Sequence, residues 1–307
     1  MRQRPIEDSP TPTKPESAGA VSPSPTETAV ERRIGLWRRF LRHRPAVCSV
    51  AIIGILVLVA LFAPLLSPYD PYFQTYDSTA LPSSAHWLGT DEIGRDELSR
   101  IIFGARVSLG ISLGAAIAAA VIGLVVGAAA GYLGGLVDQL LMRVVDIMLA
   151  FPSLFLILII SVSLGITEVT LALLIGAFSW MTLARLVRAE FLSLKEQEYV
   201  LAARATGVSS ARIIWRHMLP NAIGSVVVSA TFILAGALFV EAALDFLGLG
   251  LAPNIPSWGN LLSASQDTYF DAPLLSVVPG VLLSLTILCV NFIGDGLRDA
   301  LDPRQRA

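Results

Sequence analysis

Six of the chain's uncharged stretches are apolar enough to read as spans: residues 46–66, 107–137, 147–167, 169–184, 218–240 and 272–294. A 21-residue stretch such as 46–66 spans about 31 Å as a helix at ~1.5 Å per residue, enough to cross a hydrocarbon core of ~30 Å. The fourth is the shortest, with 16 residues. It either crosses with Arg185 and Arg188 reaching back to the headgroups or forms a re-entrant segment. The pattern predicts an all-α polytopic membrane protein with six transmembrane helices.

Within 107–137, glycines recur at Gly110, Gly114, Gly123, Gly127, Gly131 and Gly135. Spacing of four puts Gly123 to Gly135 on one helix face, where a neighbouring helix can approach closely in lipid. Tight packing accounts for this stripe without any solute contact.

Charge placement orients the bundle, because Lys and Arg collect on the cytoplasmic side. With the N-terminus inside, the inner segments hold 19 of the 22 Lys and Arg, leaving Arg95, Arg100 and Arg106 outside. The expectation is N-in and C-in, with both termini in the cytoplasm. Residues 1–34 are rich in Pro, Ser and Thr and read as a disordered cytoplasmic tail. Residues 35–67 form the first transmembrane helix with its basic flank. The first apolar run begins only after Arg44 and is too long for a cleavable signal. Residues 68–105 form an extracytoplasmic segment, and 106–303 form the transmembrane core. The long outer segments, 67–105 and 248–273, either meet an extracytoplasmic partner or only connect helices.

Composition agrees: 54% of the 307 residues are hydrophobic and 15% charged, with mean hydropathy +0.68, whereas soluble domains carry ~25% charge. It also narrows the chemistry. Cys48 and Cys289 both lie in apolar runs and read as small buried hydrophobes. His43, His86 and His217 show no metal-ligand spacing. Neither lysine, Lys14 or Lys195, follows a Gly-x-x-x-x-Gly pattern, so no phosphate-cradling loop is present. Any nucleotide energy must come from another chain. An intramembrane protease needs a base beside its serine, and the uncharged runs hold no His or Lys. A lone ion-coupled transporter needs acids at mid-membrane, and it leaves residues 195–220 unexplained.

Those residues are out of place in lipid. Lys195, Glu196, Glu198, Arg204, Arg212 and Arg216 keep the segment in water, and Ala202, Ala203 and Ala205 offer a small face to a partner. Gly207 supplies the positive φ that ends a helix. Ser209 caps the next one, and Pro220 falls in a first turn. Two short helices joined at Gly207 and fixed at both ends to spans make a lever on the cytoplasmic face. Near the opposite face, Glu241 and Asp245 follow the fifth uncharged run. They either line the outer mouth of a path, where they would meet a cationic group of a solute, or sit in the interface, partly hydrated or paired with an arginine of a partner. Asp138, Arg143 and Asp146 read as a structural ion network.

The order Ala202-Ala203, three residues, Gly207, then Leu219-Pro220 resembles the signature hairpin of ABC importer membrane subunits, and this resemblance implies an ATPase-coupling set of Glu198, Leu201, Ala202, Ala203, Arg204, Gly207, Ser209, Leu219 and Pro220. The motifs His86-Trp-Leu-Gly-Thr-Asp-Glu-Ile-Gly-Arg-Asp-Glu-Leu-Ser-Arg100, Gly104-Ala-Arg-Val-Ser-Leu109, Phe151-Pro-Ser153 and Pro256-Ser-Trp-Gly-Asn260 are similar to the C-type subunit of the dipeptide/oligopeptide permease group. The resemblance covers roughly residues 35–303. It implies a type I ABC importer permease fold, with 195–220 as the coupling hairpin that docks in a cleft of an ATPase. It implies a second homologous permease, two cytoplasmic ATPase subunits carrying ATP and Mg, an extracytoplasmic substrate-binding protein, and a bacterial cytoplasmic (inner) membrane. The chain itself would bind no cofactor, metal or nucleic acid and catalyse nothing. Peptides are the implied solute, with nickel complexes or glutathione as alternatives. Two positions depart from the signature. Leu201 stands where a glutamate is usual, and Glu198, a turn earlier, is the candidate to replace it; His217 stands where an isoleucine is usual before Leu-Pro, and reads either as an interfacial histidine or as one with a protonation role.

Overall fold

The computed structural model describes residues 39–163 and 165–301. The N-terminal tail, including Arg32, Arg33 and Arg38, and the C-terminal Arg304 and Arg306 lie outside the described residues. Every named element is helical: α1 (Arg44–Leu61), α2 (Ala63–Leu66), α3 (Glu97–Leu133), α4 (Gly135–Ala150), α5 (Ser153–Ser163), α6 (Glu168–Ala177), α7 (Met181–Lys195), α8 (Glu198–Ala205), α9 (Ser210–Ile213), α10 (Leu219–Phe246), α11 (Trp258–Ala264) and α12 (Leu274–Leu301).

Four helical stretches are long and apolar enough to cross a membrane: α1, α3, Ser210–Phe246 and α12. Two further runs are broken. α4 and α5 meet at 81° around Phe151 and Pro152, and α6 and α7 meet at 48°. A bundle of four spans results, or of up to six if each bent pair is one. The uncharged run 147–167 is therefore not one straight helix: Pro152 cannot extend α4, and α5 starts anew at Ser153.

α3 is the axis, packing against α7, α10, α6 and α1. Its 37 residues run about 55 Å, well beyond a hydrocarbon core. The helix starts ten residues before the uncharged run at 107. Asp96 caps it by accepting from Ser99 N at 2.8 Å. The glycine stripe works as close packing. A Cβ on Gly123 would lie 3.0 Å from Leu183, one on Gly127 2.7 Å from Val187, and one on Gly131 2.6 Å from Phe191, all on α7. Gly176 of α6 lies equally close to Ala118 of α3. Gly135 does not join the stripe, because the chain turns at Gly134 (φ +67°) and Gly135 opens α4. Cys48 is exposed, Cys289 is buried, and both are free.

Candidate functional site

α7 leaves the bundle at Lys195 and feeds directly into α8. α8 ends in a Schellman-type turn, with Val208 N donating to Ala203 O at 3.1 Å and Gly207 N to Arg204 O at 3.0 Å. Gly207 sits at φ +78°, a conformation that costs an L-residue with a Cβ ~1–2 kcal/mol. Ser209 occupies the cap position of α9 with extended backbone, but its side chain makes no capping hydrogen bond, so its expected role is filled by backbone shape alone. A π-helical turn, Ile214–Met218, joins α9 to α10. It falls just before Pro220, whose ring in an unbroken α-helix would press on the carbonyl of Arg216.

The hairpin has two unlike faces. Val200, Ile213 and Met218 are buried against Phe191, Val187 and Tyr132, with Ala203, Val208 and Ile214 partly buried beside them. Arg204 also turns inward, its guanidinium 5.1 Å from the centre of the Tyr132 ring. On the open face stand Glu198, Leu201, Ala202, Ala205, Gly207, Ser209, Arg212 and Arg216. Leu201 is 50% exposed and Trp215 71%. Leu219 is half-buried and Pro220 exposed. Ala203 and Arg204, read from sequence as part of the docking set, thus belong to the seat.

The seat is tied to the bundle through α7. Lys195 Nζ donates to Tyr132 O at 2.9 Å, at the end of α3. Ser225 of α10 donates to Glu190 at 2.6 Å. Arg188 grips Asp138 of α4 with two nitrogens, one at 2.6 Å, and Arg185 reaches Asp146 at 2.6 Å. The acids expected to pair locally therefore reach across to α7, and Arg143 joins none of the ion pairs among the described residues. From sequence Arg185 and Arg188 read only as the end of a span, and their pairing with α4 becomes visible once the fold sets α4 against α7.

At the other end of α10, Glu241 and Asp245 are both 0% exposed. Ser108 of α3 donates to Glu241 at 3.0 Å, and its Oγ also accepts from Trp258 N at 3.2 Å. Asp245 accepts from Leu251 N at 2.7 Å and from the Ser257 hydroxyl. Ser257 in turn caps α11 through Asn260 N at 3.0 Å. Trp258 is fully buried and donates its indole N–H to Ile101 O at 3.2 Å. The two carboxylates thus fasten the 251–260 strap onto α3 and α10, and neither reaches an open surface of this chain.

Long apolar helices in this number define a multi-pass integral membrane protein. Its lineage follows from comparison with known proteins. Residues 123–307 match the family described as the binding-protein-dependent transport system inner membrane component, and residues 35–82 match the N-terminal TM domain of oligopeptide transport permease C. The chain is 39% identical over 290 residues to the dipeptide transport system permease protein DppC of Alkalihalophilus pseudofirmus, covering 93% of this chain and 95% of that one. It is 42% identical over 272 residues to the oligopeptide transport system permease protein OppC of Escherichia coli K12, covering 88% and 90%. It is 38% identical over 273 residues to the glutathione transport system permease protein GsiD of Pectobacterium atrosepticum, covering 88% and 91%. The chain belongs to this family of ABC transporter permeases and is a non-catalytic transport subunit. Permeases of this kind work with a partner permease, ATPase subunits and a substrate-binding protein.

Proposed function

We propose that this chain forms one half of the translocation pathway of an ATP-driven importer of di- and oligopeptides in a bacterial cytoplasmic membrane. Each bent helix pair counts as one span, giving six, and the 19 to 3 division of Lys and Arg supports both termini in the cytoplasm. In this reading the parts are tail 1–34, first span with its basic flank 35–67, extracytoplasmic segment 68–105, which includes the first turns of α3, and permease core 106–303. A second homologous permease supplies the other half of the path, and a substrate-binding protein delivers solute from outside. Two ATPases, which carry ATP and Mg, dock on hairpin 195–220. ATP binding then biases an equilibrium between inward- and outward-open states.

One observation carries the coupling role: the hairpin is bound to the bundle by one face and open on the other. A push on the open face passes through α7 to α3, α4 and α10 without a flexible joint. Peptides are the cargo named for the dipeptide and oligopeptide relatives. The glutathione relative supports a second cargo of the same chemical kind, since glutathione is a tripeptide. Competition between labelled dipeptide and glutathione separates the two. For Glu241 and Asp245 to line the path, the strap they hold must lift away.

Gly207 gives the decisive test. A Cβ there meets nothing within 4 Å, so Gly207→Val strains only the turn, by about 1–2 kcal/mol. Membrane insertion and assembly are expected to persist while ATP hydrolysis no longer drives uptake. Unchanged uptake per ATP would reject the hairpin as the point of coupling.

A further inference from the structure

Both helix breaks open onto the same space. A groove of about 710 Å³ is bordered by Phe151 and Ser153 at the α4–α5 break, by Phe178 and Ser179 at the α6–α7 break, and by Phe232 and Gly236 on α10. A second hollow of about 450 Å³ shares Leu186, Ser229 and Phe232 with it and continues to Arg298 near the end of α12. Non-helical backbone at membrane depth is tolerated only inside protein or beside water, so two breaks facing one open groove mark a wetted surface. Among the described residues, Thr182 and Ser229 lie in its wall with hydroxyls that make no hydrogen bond within the chain, and no charged residue lines the larger hollow.

We propose that this groove is the solute-conducting face of the chain, and that it passes peptides by hydroxyl and aromatic contact. The proposal rests on the importer reading and adds the path to it. Lipid tails fit the groove poorly, since they would leave the free hydroxyls and the broken backbone without partners. The open side is then closed by the second permease.

Gly236 offers a clean probe. A Cβ there meets nothing within 4 Å, as at Gly54 on α1, away from the groove. In the complete complex with its permease and ATPase partners, Gly236→Trp is expected to abolish uptake of radiolabelled Ala-Ala dipeptide while assembly and ATP hydrolysis persist, and Gly54→Trp to leave uptake near normal. Uptake unaffected by Gly236→Trp would overturn the proposal, as would loss of assembly, which would make the groove a subunit interface. A second measurement needs no bulky residue. Ser229→Cys, in a Cys48→Ser background, is expected to react with a membrane-impermeant thiol reagent and to be protected by Ala-Ala. A thiol that never reacts faces lipid, and the proposal fails. If the unaltered complex takes up no peptide, the importer reading fails first, and the labelling still reports whether the groove is wet.

Discussion

The hairpin at 195–220 and the outer segment at 86–100 each hold six charged residues within a short, polar stretch. In the hairpin, Glu196, Glu198, Arg212 and Arg216 are exposed and Lys195 and Arg204 half-buried. In the outer segment only Glu92 is exposed, while Asp91, Arg95, Asp96, Glu97 and Arg100 are buried. Asp91 accepts from Arg95 Nε at 2.7 Å and from Arg100, and Asp96 pairs with His86 at 2.8 Å while capping α3. Charge in the outer segment is spent inside the fold, holding a loop to the start of the central helix. In the hairpin apolar residues make the attachment, and charge stays available to another chain. A cluster of charges therefore points to a partner only when something else anchors the segment.

The contrast predicts its largest effect at Asp91. Replacing it with alanine leaves Arg95 and Arg100 buried without their shared carboxylate, a loss of about 3–5 kcal/mol for breaking a buried pair. The thermal midpoint of the purified protein in detergent is expected to fall sharply, with little folded material recovered. Arg212→Ala, on the open face of the hairpin, should stay within about 0.5 kcal/mol of the unaltered protein. Equal losses at the two positions would break the distinction between scaffold and interface.

Between these extremes stands the Asp138–Arg188 pair, partly buried where α4 meets α7. Reversing one charge in Arg188→Asp sets two carboxylates together and is expected to cost about 1 kcal/mol or somewhat more. The reading of α7 as a transmitting element adds a second expectation: peptide taken up per ATP hydrolysed should fall further than stability does. The exchanged double variant, Asp138→Arg with Arg188→Asp, should restore both. Recovery of stability without recovery of the uptake ratio would mark the pair as structural support only.

How much of this was legible beforehand depended on whether a feature was local. The turn at Gly207 and the close helix approach at Gly123, Gly127 and Gly131 could be read because a missing side chain has the same meaning in any fold; that α7 is the helix that approaches could not. The start of α3 at Glu97 could not, because acids and arginines that pair with one another look like a solvated loop until their partners are known. For the same reason the sequence leaves Glu241 and Asp245 open between the mouth of a path and a place in the interface, and only the fold shows serines from α3 and the 251–260 strap enclosing them. The break at Phe151 and Pro152 was visible as a motif, but the uncharged run across it concealed the 81° bend. Of the docking set, the sequence showed which residues share the hairpin, and only packing separated the open Leu201 and Ala202 from the seated Ala203 and Arg204.

The smallest structural effect belongs to Leu201, which departs from the signature, and its neighbour Glu198. Leu201 and Glu198 lie one turn apart on the open face of α8. Glu198 stands in the first turn, where the helix dipole favours a carboxylate. If Glu198 supplies the negative charge that docking uses, Glu198→Gln should lower solute-stimulated ATP hydrolysis while changing stability by no more than about 0.5 kcal/mol. Adding Leu201→Glu to that variant should bring the activity back, since the carboxylate then occupies the usual place on the same face. Leu201→Glu alone sets like charges three residues apart and should cost only a few tenths of a kcal/mol, about the size of other such helix pairs. The rescue is the sharp part of the test: a double variant as slow as Glu198→Gln would mean that the ATPase reads the shape of this hairpin and not its charge, and the weight of docking would pass to Leu201, Ala202 and the turn at Gly207.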